Sequence, residues 1–156
     1  MALSFLPLAM FLLRTVTEGV QWPEHVVCTL PHLRLSYVSC DPLQDIGFTL
    51  DHCPDLFRRK VHSKVSFLLR HSIEEVYLSV DLFVGNAEPV HYDETLCLPH
   101  IQRFTFCGQK KGELLNQDWP LDVKLAPPKG HFIAQIRLIN QDADQIACAN
   151  VTFIFG

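Results

Sequence analysis

The sequence lacks the features on which several classes of function depend. Beyond residue 19, no window approaches the roughly 18 consecutive apolar residues of a membrane helix, so the later chain is not expected to span a membrane. No Gly-x-Ser-x-Gly elbow and no His-Glu-x-x-His string occurs, which disfavours the common hydrolase and metalloprotease sites. The 13 basic residues are outnumbered by 17 acidic ones and form only short clusters, so nucleic acid is not an expected partner.

The N-terminus begins with an apolar stretch. Residues 3–13 are apolar except for Ser4 and Pro7. This run is too short to cross a bilayer, but it has the length of the apolar segment of a signal peptide. Thr17 and Gly19 are small residues that fit the specificity positions of a cleavage site. We therefore predict a signal peptide at residues 1–19, a mature chain that begins at Val20, and secretion from the cell.

The chain has six cysteines, an even number. In an oxidising compartment this count favours three disulfide bridges, whereas in the cytosol the same residues would suggest metal or redox chemistry. Residues 20–156 contain no repeat and no low-complexity segment, and their Pro/Gly-rich stretch at 126–130 is short. They amount to one domain with room for a sizeable core.

Alternation of apolar and polar residues predicts a series of short β-strands. Gly, Pro, Asn and Asp residues separate these runs. Many short strands with turn signals between them indicate an all-β fold, a sandwich of two sheets. The predicted strands are residues 33–37, 46–50, 61–69, 76–82, 121–125, 132–138 and 145–155.

One face of each predicted strand is apolar and is expected to point into the space between the sheets. The opposite face carries polar residues such as Asp81, Gln135 and Arg137, which favour contact with water. The pattern alone favours a filled core, although a filled core and an open pocket share the same binary pattern. The inward-facing residues are Ile46, Phe48, Leu50, Val65, Phe67, Leu78, Val80, Leu82, Leu121, Val123, Phe132, Ala134, Ile136, Val151 and Phe153.

Four strings in the sequence resemble the ML family of lipid-recognition proteins. The resemblance covers essentially all of residues 20–156. The strings are Trp22-Pro23 followed by Val26-Val27-Cys28, then Tyr37-Val38-Ser39-Cys40-Asp41-Pro42-Leu43-Gln44-Asp45, then Phe106-Cys107-Gly108-Gln109-Lys110-Lys111-Gly112-Glu113, and finally Ala147-Cys148-Ala149-Asn150-Val151-Thr152.

This resemblance implies an immunoglobulin-like β-cup, in which two antiparallel sheets separate along one edge and lipid fills the space between them. The inward-facing residues given above then become the lining of an open hydrophobic cavity. Phe106, Leu115 and Trp119 are expected to join this lining near the mouth. The expected ligand is a phospholipid or another acyl lipid, and no metal or other cofactor is expected.

The resemblance also implies a partner. The family members that this chain resembles most act beside Toll-like leucine-rich-repeat receptors, so the resemblance implies an accessory subunit of such a receptor, of the radioprotective type found on B cells. Its expected role is to support surface expression of that receptor and to modulate innate immune responses to endotoxin. The alternative is a soluble lipid or sterol carrier of the same fold that acts without a receptor.

The family pattern implies three disulfide pairs, namely Cys28 with Cys53, Cys40 with Cys148, and Cys97 with Cys107. The endotoxin-binding member of the family has an unpaired cysteine where this chain has Ala134, which keeps the cysteine count even. That member also has Lys and Arg residues at its cavity rim. Here Lys129-Gly130 precedes His131, Phe132 and Ile133, so a clamp for several phosphates is not expected.

Two alternatives to lipid binding follow from the residues. Cys97, His100 and Cys107 could form part of a zinc site, but zinc needs four ligands and thiolates, and an oxidising compartment favours a disulfide. Pairs such as His71-Ser72, or His91 with Asp93, allow catalytic triads on paper, but no hydrolase motif accompanies them. We therefore do not expect an enzyme.

Asn150-Val151-Thr152 is the sequon for N-glycosylation in this chain. Its asparagine has the outward parity of the last predicted strand, and a secreted chain passes through the compartment where glycans are attached. We therefore expect a glycan on Asn150.

Overall fold

The computed structural model describes residues 19–55, 59–122 and 129–156. Over these residues the chain forms ten β-strands and no helix, and thus no helix that could span a membrane. The strands are β1 (His25–Leu30), β2 (Leu33–Ser39), β3 (Gly47–Leu50), β4 (Lys60–Leu68), β5 (Val76–Val84), β6 (Val90–Leu98), β7 (Ile101–Gln102), β8 (Leu114–Asp122), β9 (Gly130–Asn140) and β10 (Gln145–Phe155).

The strands form two antiparallel sheets. Sheet A has seven strands in the order β1-β2-β10-β9-β5-β6-β7, and sheet B has three in the order β3-β4-β8. The predicted all-β class and two-sheet architecture are confirmed. Of the seven predicted strands, six lie within or almost within β2, β3, β4, β5, β9 and β10. The seventh, at 121–125, coincides only with the last two residues of β8, and 123–125 lie outside the described residues.

Pattern reasoning missed β1, β6, β7 and most of β8. The strand β7 has only two residues, too few to show a period of two, and the other three also have physical reasons. In β1 the register shifts between Val26 and Cys28, and such a bulge breaks the period of two. The inward face of β6 includes Tyr92 and Glu94, and that of β8 includes Gln117, so neither strand shows a clean apolar alternation. β8 also contains Pro120, which is tolerated because this strand is an edge of the described sheet B.

The three predicted disulfides are present. Cys28 bonds to Cys53, Cys40 to Cys148, and Cys97 to Cys107. The Cys97–Cys107 bond makes the alternative zinc site wrong, because both sulfur atoms are occupied. Within the described residues, no group of three or more His, Cys, Asp or Glu is arranged to hold a metal ion.

The string from Cys40 to Asp45 has a structural role. The Asp41 carboxylate is buried and pairs with Arg70, while its other oxygen accepts a hydrogen bond from the backbone N–H of Leu43 at 2.9 Å. Gln44 binds the backbone of Leu68 through both ends of its amide, at 3.1 and 3.2 Å. These contacts fasten the segment between β2 and β3 to the end of β4 and so hold the two sheets together.

The outer face of sheet A carries a charged network across β5, β6 and β9. His91 lies between two carboxylates, with Nδ1 2.6 Å from Asp81 Oδ1 and Nε2 2.8 Å from Asp93 Oδ2. Arg137 donates to the other oxygen of Asp81 at 2.8 Å. The hydrogen bond to Asp81, followed by that to Asp93, raises the pKa of His91, and the same His91 bond lowers the pKa of Asp81.

We expect an NMR titration of His91 to give a pKa above the ordinary value of about 6.5. A raised histidine pKa stabilises the fold below that ordinary value, and the contribution is lost as pH rises through the folded-state pKa. Asp93→Asn should lower the pKa of His91, whereas Asp118→Asn on sheet B should leave it unchanged. A His91 pKa at or below about 6.5 in the unmodified protein would contradict the network.

Candidate functional site

Among the described residues, the space between the sheets is lined by buried side chains at one end and by exposed ones at the other. Along β5 the inward-facing residues run from Val76, which is 0% exposed, through half-buried Leu78, Val80 and Leu82 to Val84, which is 38% exposed. A filled sandwich core would bury every residue of this face. Burial of this face therefore decreases progressively along the strand.

The strands that face and flank β5 show the same gradient. On β6, exposure rises from 4% at Leu96 to 62% at Val90, although both residues have the same inward parity. On β8 of sheet B, Leu115 is buried whereas Leu121 is exposed. The open end, which we call the mouth, thus lies at the β5–β6 turn and the end of β8.

The closed end is a compact core around one disulfide. Ile73, Val76, Leu96 and Ile146 pack there with the buried Cys97–Cys107 bridge. Backbone hydrogen bonds tie residues 69–73 to residues 108–113, including the bond from Gly108 N to Ile73 O at 2.8 Å. This core seals the space between β6 and β8 at one end.

The resemblance placed Phe106 and Leu115 near the mouth, and that position is wrong. Both residues are buried in the closed-end core. The Cys97–Cys107 disulfide draws the segment between β7 and β8, which contains Phe106, into this core. Trp119 is half-buried and packs on the same core, with its ring 4.6 Å from that of Phe104.

The edge formed by β1 and β3 is also closed. The Tyr37 hydroxyl on β2 donates to the carbonyl of Ile46 at 2.6 Å and accepts from the N–H of Phe48 at 3.0 Å, which joins sheet A to sheet B. Burial raises the pKa of Tyr37, so the hydroxyl stays protonated and able to donate. A second buried cluster, around the Cys28–Cys53 bridge with Leu33 and Leu35, fills this side of the fold.

A cleft of about 550 Å³ lies beside this closed edge, between β1 and β3. Its polar groups already bind one another, since His25 Nε2 lies 2.7 Å from Asp45 Oδ2 and the Ser39 hydroxyl donates to the other Asp45 oxygen. Burial raises the pKa of Asp45, but these hydrogen bonds outweigh it and hold the pKa below its ordinary value. The cleft therefore offers a ligand few free polar groups.

The geometry also argues against hydrolase chemistry. In a catalytic triad, the histidine stands between the serine and the carboxylate. Here Asp45 stands between Ser39 and His25, so the imidazole is not placed to take the serine proton. His91 has a carboxylate at each ring nitrogen, and His71 Nδ1 pairs with Asp144 at 3.1 Å. None of these histidines faces a serine hydroxyl as a base would.

The central walls of the space are apolar and only half-buried. Across sheet A the inward residues pair in rows, such as Val80 with Ile136 and Leu78 with Leu138. Sheet B contributes Phe48, opposite Val65. The predicted site residues that are half-buried are Phe48, Leu50, Val65, Leu78, Val80, Leu82, Trp119, Phe132, Ile136, Val151 and Phe153.

The other predicted site residues that the structure describes are either buried or exposed. Ile46, Phe67 and Ala134 are buried, as Phe106 and Leu115 are, and Leu121 is exposed at the mouth. Val123 lies outside the described residues. Contact of this lining with a lipid stays a prediction.

Sequence reasoning missed several residues that line the mouth. Val84, Val90, Tyr92 and Glu94 share the inward parity of β5 and β6. Tyr92 donates to Glu94 at 3.0 Å, and Arg103 lies 3.6 Å from the same carboxylate. The period of two in Val90, Tyr92, Glu94 and Leu96 was the available signal, and the polar members concealed it.

The fold and the open apolar site define a class of protein. The chain matches the family model of the ML domain over residues 27–155, and it belongs to the ML domain family. The family is lipid-binding and non-enzymatic, so the prediction that the protein is not an enzyme is confirmed.

Within this family the chain is similar to proteins named lymphocyte antigen 86. The Gallus gallus relative is 38% identical over 152 residues, which cover 96% of this chain and 94% of the relative. The Homo sapiens relative is 31% identical over 137 residues, which cover 87% and 85%. The crystal structure of chicken MD-1 complexed with lipid IVa has a TM-score of 0.77 and 37% identity, and the match covers 86% of this chain and 98% of that one.

Proposed function

We propose that this protein is a secreted lipid-binding accessory subunit of a Toll-like leucine-rich-repeat receptor. The observation that carries the proposal is the set of inward-facing apolar residues that remain half-buried between the sheets. Water against such walls is unfavourable, and each methylene of a bound chain that leaves water contributes about 0.8 kcal/mol. Two long acyl chains would gain on the order of 20 kcal/mol before ordering costs, so lipid should remain bound through purification.

The ligand that fits this site is an acyl lipid, with phospholipids included. Arg103, which follows β7, pairs with Glu94 on β6. Lys60 at the start of β4 lies opposite Asp122 on β8. Charge-assisted contacts from several cations are what a ligand with many phosphates needs. The lining therefore favours recognition through acyl chains. That a related protein was crystallised with lipid IVa supports a lipid ligand.

The receptor role rests on the relatives named lymphocyte antigen 86, and it implies surface expression of the receptor and modulation of innate immune responses to endotoxin. We expect the mature chain to bind a Toll-like leucine-rich-repeat ectodomain in surface-plasmon measurements, whether or not endotoxin is added. The expected contact lies outside the cavity, so lipid-depleted and lipid-loaded protein should bind equally. Binding that requires endotoxin, or no binding to any such ectodomain, would contradict the receptor role. The second outcome would favour a free lipid carrier.

We also propose that residues 1–19 are removed on secretion. The proposal rests on the apolar run at 3–13 and on the small residues Thr17 and Gly19. Intact mass spectrometry of the deglycosylated secreted protein should give a chain that begins at Val20. A chain that retains Met1 would contradict the proposal.

A glycan on Asn150 is part of the same proposal. Asn150 lies on the outer face of β10, opposite Gln135, whose amide donates to Asn150 Oδ1 at 3.2 Å. A glycan there would project from sheet A and leave the cavity accessible. The secreted Asn150→Gln variant should lack the mass that a glycosidase removes from the unmodified protein. The Asn116→Gln variant, which alters no sequon, should retain that mass.

A further inference from the structure

The β5–β6 hairpin is apolar on both of its faces where it reaches the mouth. Val84, Val90 and Tyr92 face inward and are exposed, and Phe83 faces outward. Ile133 on β9 lies directly opposite Phe83 and is also exposed. We call these five residues the lip. Isolated exposed apolar side chains are ordinary on protein surfaces, but a cluster of them marks an interaction site.

We propose that the lip docks on a phospholipid bilayer, so that lipid moves between the membrane and the cavity without crossing water. This inference rests on the proposed lipid-binding function. The inward wall is continuous from Val80 through Leu82 to Val84, and the last of these belongs to the lip. An acyl chain that leaves the cavity along this wall reaches the lip last. If the lip lies in the bilayer, the acyl chain passes from one apolar environment to another.

The charges of the hairpin indicate which bilayer it fits. Residues 83–92 contain no Lys or Arg, and the turn carries one acidic residue, Glu88. The His91 side chain on the outer face pairs with Asp81 and Asp93. The hairpin itself, without Lys or Arg, gains nothing from anionic lipid. Tyr92 has the apolar ring and polar tip of residues that favour the membrane interface. The lip therefore fits a zwitterionic phosphatidylcholine surface.

The test is a co-sedimentation experiment with phosphatidylcholine vesicles. The double variant Phe83→Ser/Ile133→Ser alters the outward-facing pair and leaves the cavity lining intact. We expect it to reduce vesicle binding about tenfold or more and to slow transfer of a fluorescent phospholipid, because two apolar side chains no longer enter the bilayer. Its lipid content as purified should equal that of the unmodified protein, and added salt should not weaken binding of the unmodified protein.

The chain offers a matched control. Leu68 and Leu114 are also exposed cross-strand partners, on the outer face of sheet B near the closed end. Leu68→Ser/Leu114→Ser should leave vesicle binding and transfer unchanged. Equal losses in both double variants, binding that needs anionic lipid, or no vesicle binding by the unmodified protein would overturn the proposal.

Two readouts distinguish membrane docking from a receptor contact and from lipid binding in the cavity. A lip variant that keeps vesicle binding but loses the receptor ectodomain would mean that the lip is a protein interface, which also overturns the proposal. Absence of extractable lipid from the unmodified protein would count against the proposed function itself. Vesicle binding alone would still decide whether the lip docks on membranes.

Discussion

Val80→Lys is expected to reduce recovery of bound lipid strongly while the protein still folds and is secreted. Val80 is half-buried in the middle of the inward face of β5, opposite Ile136. An ammonium group there would lie against acyl chains unless it hydrates, and in an open cup it can extend along the wall to water. We expect lipid per protein to fall about tenfold or more, because an unpaired charge in apolar surroundings costs more than 1.4 kcal/mol.

Val76 provides the matched control for this variant, because it lies four residues before Val80 on β5, at the closed end. Val76 is on the same strand and the same face, but it is fully buried in the closed-end core. Val76→Lys places the ammonium where it cannot reach water, which costs several kcal/mol of a stability of about 5–15 kcal/mol. It should therefore block secretion, and Val80→Leu should keep both secretion and lipid. Equal failure of Val76→Lys and Val80→Lys would mean that the space between the sheets is a closed core.

Removal of the Cys40–Cys148 bridge should be the more destabilising of two matched disulfide deletions. This bridge spans 108 residues and Cys28–Cys53 spans 25, and each joins one buried cysteine to one half-buried cysteine. In the chain-entropy description, the two bridges stabilise the fold by about 4.8 and about 3.5 kcal/mol. The paired Cys→Ala variants should therefore differ by about 1.3 kcal/mol in the free energy of unfolding.

Guanidinium unfolding of the two double variants measures this difference directly. Equal slopes of free energy against denaturant would show that the comparison is of stability alone. A larger loss from the Cys28–Cys53 deletion would contradict the chain-entropy description. It would mean that packing in the cluster around Cys28, Leu33 and Leu35 outweighs loop length.

The architecture could be predicted from sequence because most strands bury one face. Residues 150–153 of the last strand alternate between polar and apolar, and the predicted bounds of the whole segment, Gln145–Phe155, coincide with those of β10. The disulfides followed from the family resemblance and could not have been paired from spacing alone, since six cysteines permit many connectivities. The strands β6 and β8 escaped prediction because Tyr92, Glu94 and Gln117 interrupt the apolar alternation of their inward faces.

The shape of the cavity could not be predicted for a related reason. Binary patterning assigns Phe67 and Val80 to one apolar face, but it does not say that one is buried and the other half-buried. That difference depends on how far the sheets separate. The separation is limited by tertiary links such as the Cys97–Cys107 bridge and the hydrogen bonds of the Tyr37 hydroxyl, which close one end and one edge.

Lipid that fills the space between the sheets should be carried through purification with the protein. The most direct test is mass spectrometry of an organic extract from the natively purified secreted protein, with lipid quantified against protein. We expect acyl lipid in a ratio near one per chain for the unmodified protein and for the Leu68→Ser/Leu114→Ser control, and far less for Val80→Lys. A folded, disulfide-bonded protein that yields no extractable lipid would contradict it.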